Sequence, residues 1–423
     1  MGACLVPVSQ SCPTRLTVEY PKLRPVEAFP TEVDGRQVLC LRDPTHYAET
    51  ILFVPLAAAD ILRQFDGNHS ILDIQAAYVR RHGALLFREK VEHLIATLDE
   101  HFFLESDRFA KYRGALEEGF RHARTRPAFL AGKSYPSEPS ELRQILDHML
   151  RHPEGPAGND DPAEGSLRAL IAPHIDFMRG AVGYAWAYRG LEERTDAELF
   201  VIFGTAHTGT ARPFALCGKD FETPLGQVRT DRDWFQELRR RCPGASSTDD
   251  MAHRAEHSIE FQVILLQHLL GGKRPFRILP ILCGSFHEWV LEGKLPSDDP
   301  DVRTFLDALC DLLHAQEDRT CLIAGADLAH MGTRFGDSGS MTRQLLQWIE
   351  DEDGQMLEPA VTGDPEGFFH AVSRDGDRRR ICGLPPIYSL LHCVRGRTGK
   401  LLHYGQASDP QGVVSFCSAA FPT

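Results

Sequence analysis

The chain has 423 residues, 42% of them hydrophobic and 25% charged, which excludes a fibre, a disordered tail and a miniprotein stapled by disulfides. Asp plus Glu number 59 against 46 for Lys plus Arg, a formal charge of −13 that repels phosphate backbones and argues against nucleic acid as the main partner. No apolar run reaches the length of a bilayer span, no basic-then-apolar leader opens the chain, and the 11 cysteines include no Cys-x-x-Cys pair, so the expectation is a cytoplasmic protein with no membrane association and no disulfide framework.

Residues 18–55 alternate apolar and polar between Pro and Gly breaks, which predicts short strands at 36–41 and 50–54. Helical spacing follows over 57–65, Asp66 and Gly67 break it, and Ser70 can cap a second helix that runs to Gly83. A third helix is predicted over 88–104, with Val91, Leu94, Ile95 and Leu98 on one face. Strands followed by three short helices make a small winged-helix-like α+β domain over 1–108, and the charged, helically spaced stretch at 109–125 reads as a helical linker. The remainder, 126–423, alternates short apolar runs at 167–172, 199–204, 276–282, 321–325 and 401–405 with amphipathic segments such as 182–191 and 256–270. That alternation predicts an α/β domain with an open, mostly parallel sheet flanked by helices.

Phe65, Asp66, Gly67, Ser70, Ile71 and Ile74, followed by the helix end at 98–104, resemble the PqqD-type peptide-recognition domains. The resemblance implies capture of a peptide or partner protein by strand addition, a mode that uses backbone more than particular side chains. A purely structural packing module is the alternative.

Chemistry gathers where the predicted strands end. Ile171-Ala172-Pro173 delivers His174, Phe203-Gly204-Thr205-Ala206 delivers His207, and Ala324-Gly325-Ala326 delivers Asp327 with His330 beyond it. In open α/β sheets the crevice outside the strand C-termini is where ligands bind. Recurrence of polar side chains at that edge outweighs reading each histidine as a lone surface residue. Cys382 precedes a helix expected to begin near Pro386, and a helix N-terminus favours the thiolate, the form that binds metal or attacks electrophiles. Cys283, Cys310 and Cys321, in or beside apolar runs, read as inert packing residues. His253-x-x-Glu256-His257 has the inverted zincin spacing. If the helix begins only near Glu256, however, His253 lies outside it and the two imidazoles cannot share a face.

In order, the segments 131–136, 172–174, 204–207, 223–226 with Asp231, 256–260, 326–330 and 381–383 resemble the Memo family, the B component of the AmmeMemoRadiSam grouping, over about 126–423. The resemblance implies a LigB-type extradiol dioxygenase-like fold and a mononuclear metal held by two histidines and a cysteine. Carried over, the ligands are His174, His207 and Cys382, with His257, Asp327 and His330 as surrounding catalytic or proton-transfer groups. Two imidazoles and a thiolate suit iron(II) or copper, so the expectation is a dioxygenase-like oxidoreductase acting with radical SAM and AMMECR-type proteins. The alternative is a non-catalytic metal-binding adaptor. Ile175-Asp176-Phe177 stands where the family usually has Ala-Gly-Tyr, so Asp176 adds charge beside a ligand position.

Overall fold

The computed structural model describes residues 4–5, 18–156, 166–247 and 251–423. It divides into two compact units, Met1–His122 and Ala123–Thr423.

In the first unit, strands β1 (Glu27–Val33), β2 (Arg36–Arg42) and β3 (Leu52–Pro55) form an antiparallel sheet, and the two-residue strand Cys4–Leu5 pairs parallel with β3. Asp34 and Gly35, both at positive φ, make the two-residue turn that matches the twist of a hairpin. Helix α1 (Ile71–His82) begins at a reciprocal cap between Ser70 and Asp73 and ends at Gly83 in the left-handed conformation. Helix α2 (Arg88–Glu100) turns Val91, Ile95 and Leu98 into a core shared with Leu41, Leu52, Phe65 and Ile74. The stretch read as a linker is helical over Asp107–His122 (α3) and packs on this unit, where Tyr112 stacks on Phe102 and Tyr47 donates to Glu117 at 2.7 Å.

The second unit is built on β4 (Leu167–Ala172), β5 (Leu199–Thr205), helix α4 (His257–Leu270), β6 (Arg277–Cys283), β7 (Thr320–Gly325), β8 (Asp327–Met331), helix α5 (Leu384–Cys393), β9 (Lys400–Asp409) and β10 (Gly412–Pro422). The spatial order is β8–β10–β4–β7–β5–β6, continued by the short strands Gly226–Thr230, Asp220–Thr223 and Thr125–Arg126, with β9 paired to the outer side of β10. Strands β4, β7, β5 and β6 run parallel, and β10 joins antiparallel to both β4 and β8. Every residue of β4, β5 and β7 is buried, and apart from Arg168, Thr205 and Thr320 they form the near-continuous apolar runs expected of strands covered on both faces. Along β5, Leu199, Val201 and Phe203 enter one core while Phe200 and Ile202 enter the other, the two-residue period of a pleated strand. The fold is therefore α/β with a large, mixed, mostly parallel sheet flanked by helices, and a separate small antiparallel sheet in the N-terminal unit. Among the described residues no helix is long and apolar enough to cross a membrane.

Two glycines set the site's geometry. A Cβ on Gly204 would lie 2.5 Å from the Ser258 hydroxyl, and one on Gly325 would lie 2.4 Å from the Ser258 carbonyl. Only hydrogen at these positions lets the N-terminus of α4 close against the carboxyl ends of β5 and β7.

Candidate metal centre

Pro173 has no N–H to continue the ladder beyond β4, and the chain turns to place His174 at the sheet's carboxyl edge. There the His174 amide donates to Asp327 Oδ1 at 2.9 Å and its Nδ1–H donates to the Gly325 carbonyl at 2.9 Å. The second bond fixes the tautomer and leaves Nε2 as the coordinating nitrogen. Cys382 Sγ lies 3.3 Å from that Nε2 and is also hydrogen-bonded to the His207 side chain. His207 follows β5, and its Nδ1 is held by both oxygens of Glu256, at 3.0 and 3.1 Å. His257, the first residue of α4, brings its Nδ1 within 3.3 Å of Glu256 Oε1. The imidazoles of His174, His207 and His257 offer nitrogens within 4.8 Å of one another, and the His207 and His257 rings stack with centroids 4.6 Å apart.

The backbone around Cys382 is tied to the same edge. Gly383 donates to the Asp327 carbonyl at 2.9 Å, and Thr205 Oγ1 donates to the Cys382 carbonyl at 2.9 Å. Helix α5 begins at Leu384 with Pro385 and Pro386 in its first turn, slightly earlier than the proline pattern predicts. The structure thus gathers His174, His207, His257, Asp327 and Cys382 at one end of the sheet. His330 lies in β8, three residues beyond Asp327, and its charge acts on both Asp327 and His174. Its Nδ1 donates to the Leu328 carbonyl at 3.1 Å and its ring packs edge-on against Phe335.

The electrostatics divide the histidines. Burial pushes His174 down to about 3, with the nearby His207 charge acting in the same direction, so its imidazole stays neutral and ready to ligate. Desolvation also opposes a charge on His207, whose side chain is 36% exposed. The Glu256 carboxylate and the Cys382 thiol outweigh it and hold His207 well above its ordinary value. Glu256 is itself kept well below the carboxylate range, because His207, His257 and the Ser258 amide overcome its burial. Burial lifts Asp327 to about 6 against the pull of His330 and two backbone amides. His330 is lowered by burial despite Asp327 nearby. Cys382 departs from the sequence expectation of an easily ionised thiol. Burial, aided by the Asp327 charge, pushes it up more than His207 draws it down, so a cation would have to displace its proton.

The inverted zincin spacing carries no metal pair. His253 lies in the separate turn Met251–Arg254 with Nε2 on the Ala215 carbonyl at 2.9 Å, and Glu256 caps α4. The residue that sequence reasoning missed is Glu256. It accepts from the His207 amide at 3.0 Å and the Ser258 amide at 3.0 Å while bridging two imidazoles. Its position just before His257, at the start of an apolar helix, was the available signal. Glu260, one turn on, is fully buried and bound by Arg126 and Tyr135, which anchors α4 from its other side.

The donor set, a neutral His174 nitrogen and a His207 ring each oriented by an acceptor behind it, with a thiol alongside, fits a transition metal that displaces the protons of His207 and Cys382 on binding. Asp176 stands outside it, paired with Arg179 at 2.5 Å.

Comparison with known proteins agrees on the second unit. A family model described as "Memo-like protein" matches residues 126–420. A "MEMO1 family protein" of Aquifex aeolicus is 24% identical over 368 residues, 86% of this chain and 90% of its own. That span is longer than the family match and so takes in part of the N-terminal unit. Similar proteins from Thermus thermophilus and Methanopyrus kandleri are each 28% identical, covering 79% and 69% of this chain and 93% and 97% of their own lengths.

Proposed function

Because the chain belongs to the Memo-like family, we propose that its second unit is a mononuclear metal protein in which His174, His207 and Cys382 hold iron(II) or copper for redox chemistry in the cytosol. The observation that carries this reading is the convergence of a His174 Nε2, freed by the Nδ1 bond to Gly325, on the Cys382 thiol at 3.3 Å, beside a His207 steered by Glu256. When bound, either metal supplies one-electron chemistry at a face that three protein ligands leave open. The chain's own groups do the rest. Glu256 fixes the His207 ring, and Asp327 holds the His174 amide at 2.9 Å and the Ile175 amide at 3.1 Å. With its carboxyl lifted to about 6, Asp327 can hold or release a proton near neutral pH. His330, kept neutral by burial and with its ring hydrogen-bonded to the Leu328 carbonyl, is the second group proposed to move protons.

The test is anaerobic purification, metal analysis and oxygen uptake for the wild type and Cys382→Ser. About one equivalent of iron or copper in the wild type, lost in the variant together with oxygen consumption, supports the assignment. Unchanged metal in the variant removes it.

One observation favours a second reading. His257 lies within 4.8 Å of the other two imidazoles, so with Cys382 there are four donors, enough for a closed structural site. In that case the protein is an adaptor, and its N-terminal unit captures a peptide or partner protein along β1, an edge strand that pairs only with β2 among the described residues. Radical SAM and AMMECR-type proteins are the proposed partners in either reading. His257→Ala separates the two: metal retained with turnover lost supports the enzyme, and metal lost supports the closed site.

A further inference from the structure

We propose that Asp353, a fully buried carboxylate outside the metal centre, is a positioning residue for Asp327 and His330. It lies midway along helix Arg343–Val361. Its Oδ1 accepts from Arg379 Nη1, and its Oδ2 accepts from the Ser415 hydroxyl at 2.5 Å and the Tyr404 hydroxyl at 2.9 Å. None of these donors is a ligand of the proposed metal. The role given to Asp353 rests on the proton-transfer reading of Asp327 and His330.

Two of the donors lead to neighbouring amides of β8. The Ser415 oxygen, its proton given to Asp353, accepts from the Ala329 amide at 2.9 Å, and the Arg379 carbonyl accepts from the His330 amide at 2.7 Å. These amides lie where the ladder between β8 and β10 slips. Asp327 faces Phe416 and His330 faces Val414, so Leu328 and Ala329 together stand opposite Ser415 alone, which is a bulge. In an unbroken strand, residues three apart point to opposite faces. The extra residue is what can bring the Asp327 and His330 side chains to the same one. Arg379 also lies between Asp377 and Arg380, whose φ angles are 56° and 55°, a left-handed conformation that non-glycine residues keep where surrounding contacts enforce it. One carboxylate thus holds both groups that take up the amides of the bulge.

Packing alone does not account for the charge. A buried ion pair gives up the hydration of both ions, and apolar side chains of similar volume are often as stable or more so. What the carboxylate supplies is direction. It makes the Ser415 hydroxyl donate to it and leaves the oxygen to accept from Ala329. Tyr404 likewise donates to Asp353 and accepts from Gln406 Nε2 at 2.9 Å. Asp353, Arg379 and Ser415 are all buried, so water has little access to replace a lost partner.

The test compares the full wild-type chain with Ser415→Ala and with the double variant Asp353→Leu, Arg379→Met, which leaves no buried charge unpaired and so protects the fold. Isotope labelling of histidine backbone nitrogen gives one amide signal for each of the 19 histidines, and His330→Gln identifies that of His330. In the metal-free double variant the His330 amide is expected to exchange with solvent about tenfold faster or more, while the His268 amide in α4 keeps its wild-type rate. Ser415→Ala is expected to act in the same direction. In the metal-loaded protein, oxygen uptake is expected to show kcat lower by about tenfold or more, with KM and the affinity for iron or copper unchanged. A His330 amide no faster than wild type, a His268 amide that rises in step with it, or a loosened His330 with kcat unchanged would overturn the proposal. A wild type without metal or oxygen uptake refutes the proposed function instead, and the exchange rates of the metal-free chain still decide whether Asp353 positions β8.

Discussion

Replacing Glu256 with Gln removes one charge without changing shape, and its consequences can be worked out bond by bond. Glu256 Oε2 accepts from the His207 amide at 3.0 Å and Oε1 accepts from the Ser258 amide at 3.0 Å, while both oxygens hold His207 Nδ1. A Gln amide can be turned either way, but each orientation sets its NH2 against one of those two backbone N–H groups. At 5% exposure water has little access to repair the loss, so one buried donor stays unpaired at a cost of about 1–3 kcal/mol. The same substitution loosens the His207 ring, and removing a carboxylate that orients a ligand histidine typically lowers metal affinity by about 10–100-fold, or roughly 1.4–2.8 kcal/mol. Urea unfolding of the metal-free protein reads the first quantity, and competition with a chelator of known affinity reads the second. An E256Q protein that matches the wild type in both would refute the claim that this carboxylate organises the centre.

Gly325→Ala drives a Cβ to within 2.4 Å of the Ser258 carbonyl and 2.9 Å of Gln262 Nε2. Because the first clash is with backbone, α4 must shift. The expected cost is about 1–3 kcal/mol in unfolding free energy together with weaker metal binding, and unchanged values for both would show that the close approach is not required. Asp377 gives a pH signature away from the ligands. Burial raises its carboxyl from 3.8 to about 6, although it accepts from the Ile381 amide. The folded state therefore binds this proton more tightly than the unfolded chain does, so stability falls as pH rises from about 4 to about 6 and stays lower beyond it, by about 3 kcal/mol at most. Asp377→Asn keeps an acceptor for Ile381 and tolerates the positive φ of 56°. It is expected to flatten the dependence and to be the more stable protein at pH 8, and parallel urea curves for the two proteins across pH 5–8 would contradict this.

Much of the sheet was legible in the chain because its causes are local. A run of consecutive apolar residues that stops at Pro173, at Gly204 or at Gly325 specifies both a buried strand and the place where it ends, and the first residues after each stop carry the polar groups. The Ser70 cap and the Gly83 stop were likewise written in neighbouring residues. Long-range meetings were not legible in this way. Cys382 reaches His174 across 208 positions, and Glu256 reaches His207 across 49. Both depend on β7 lying between β4 and β5 and on two glycines that admit the end of α4. Helix spacing in 107–122 was visible, but not that its Tyr112 would stack on Phe102 and tie the helix to the first unit. Periodicity and breakers act through bonds between near neighbours, and so they can be read in order along the chain. Whether a carboxylate grips an imidazole depends on strand order and helix packing, which the polypeptide acquires only when distant segments close against one another.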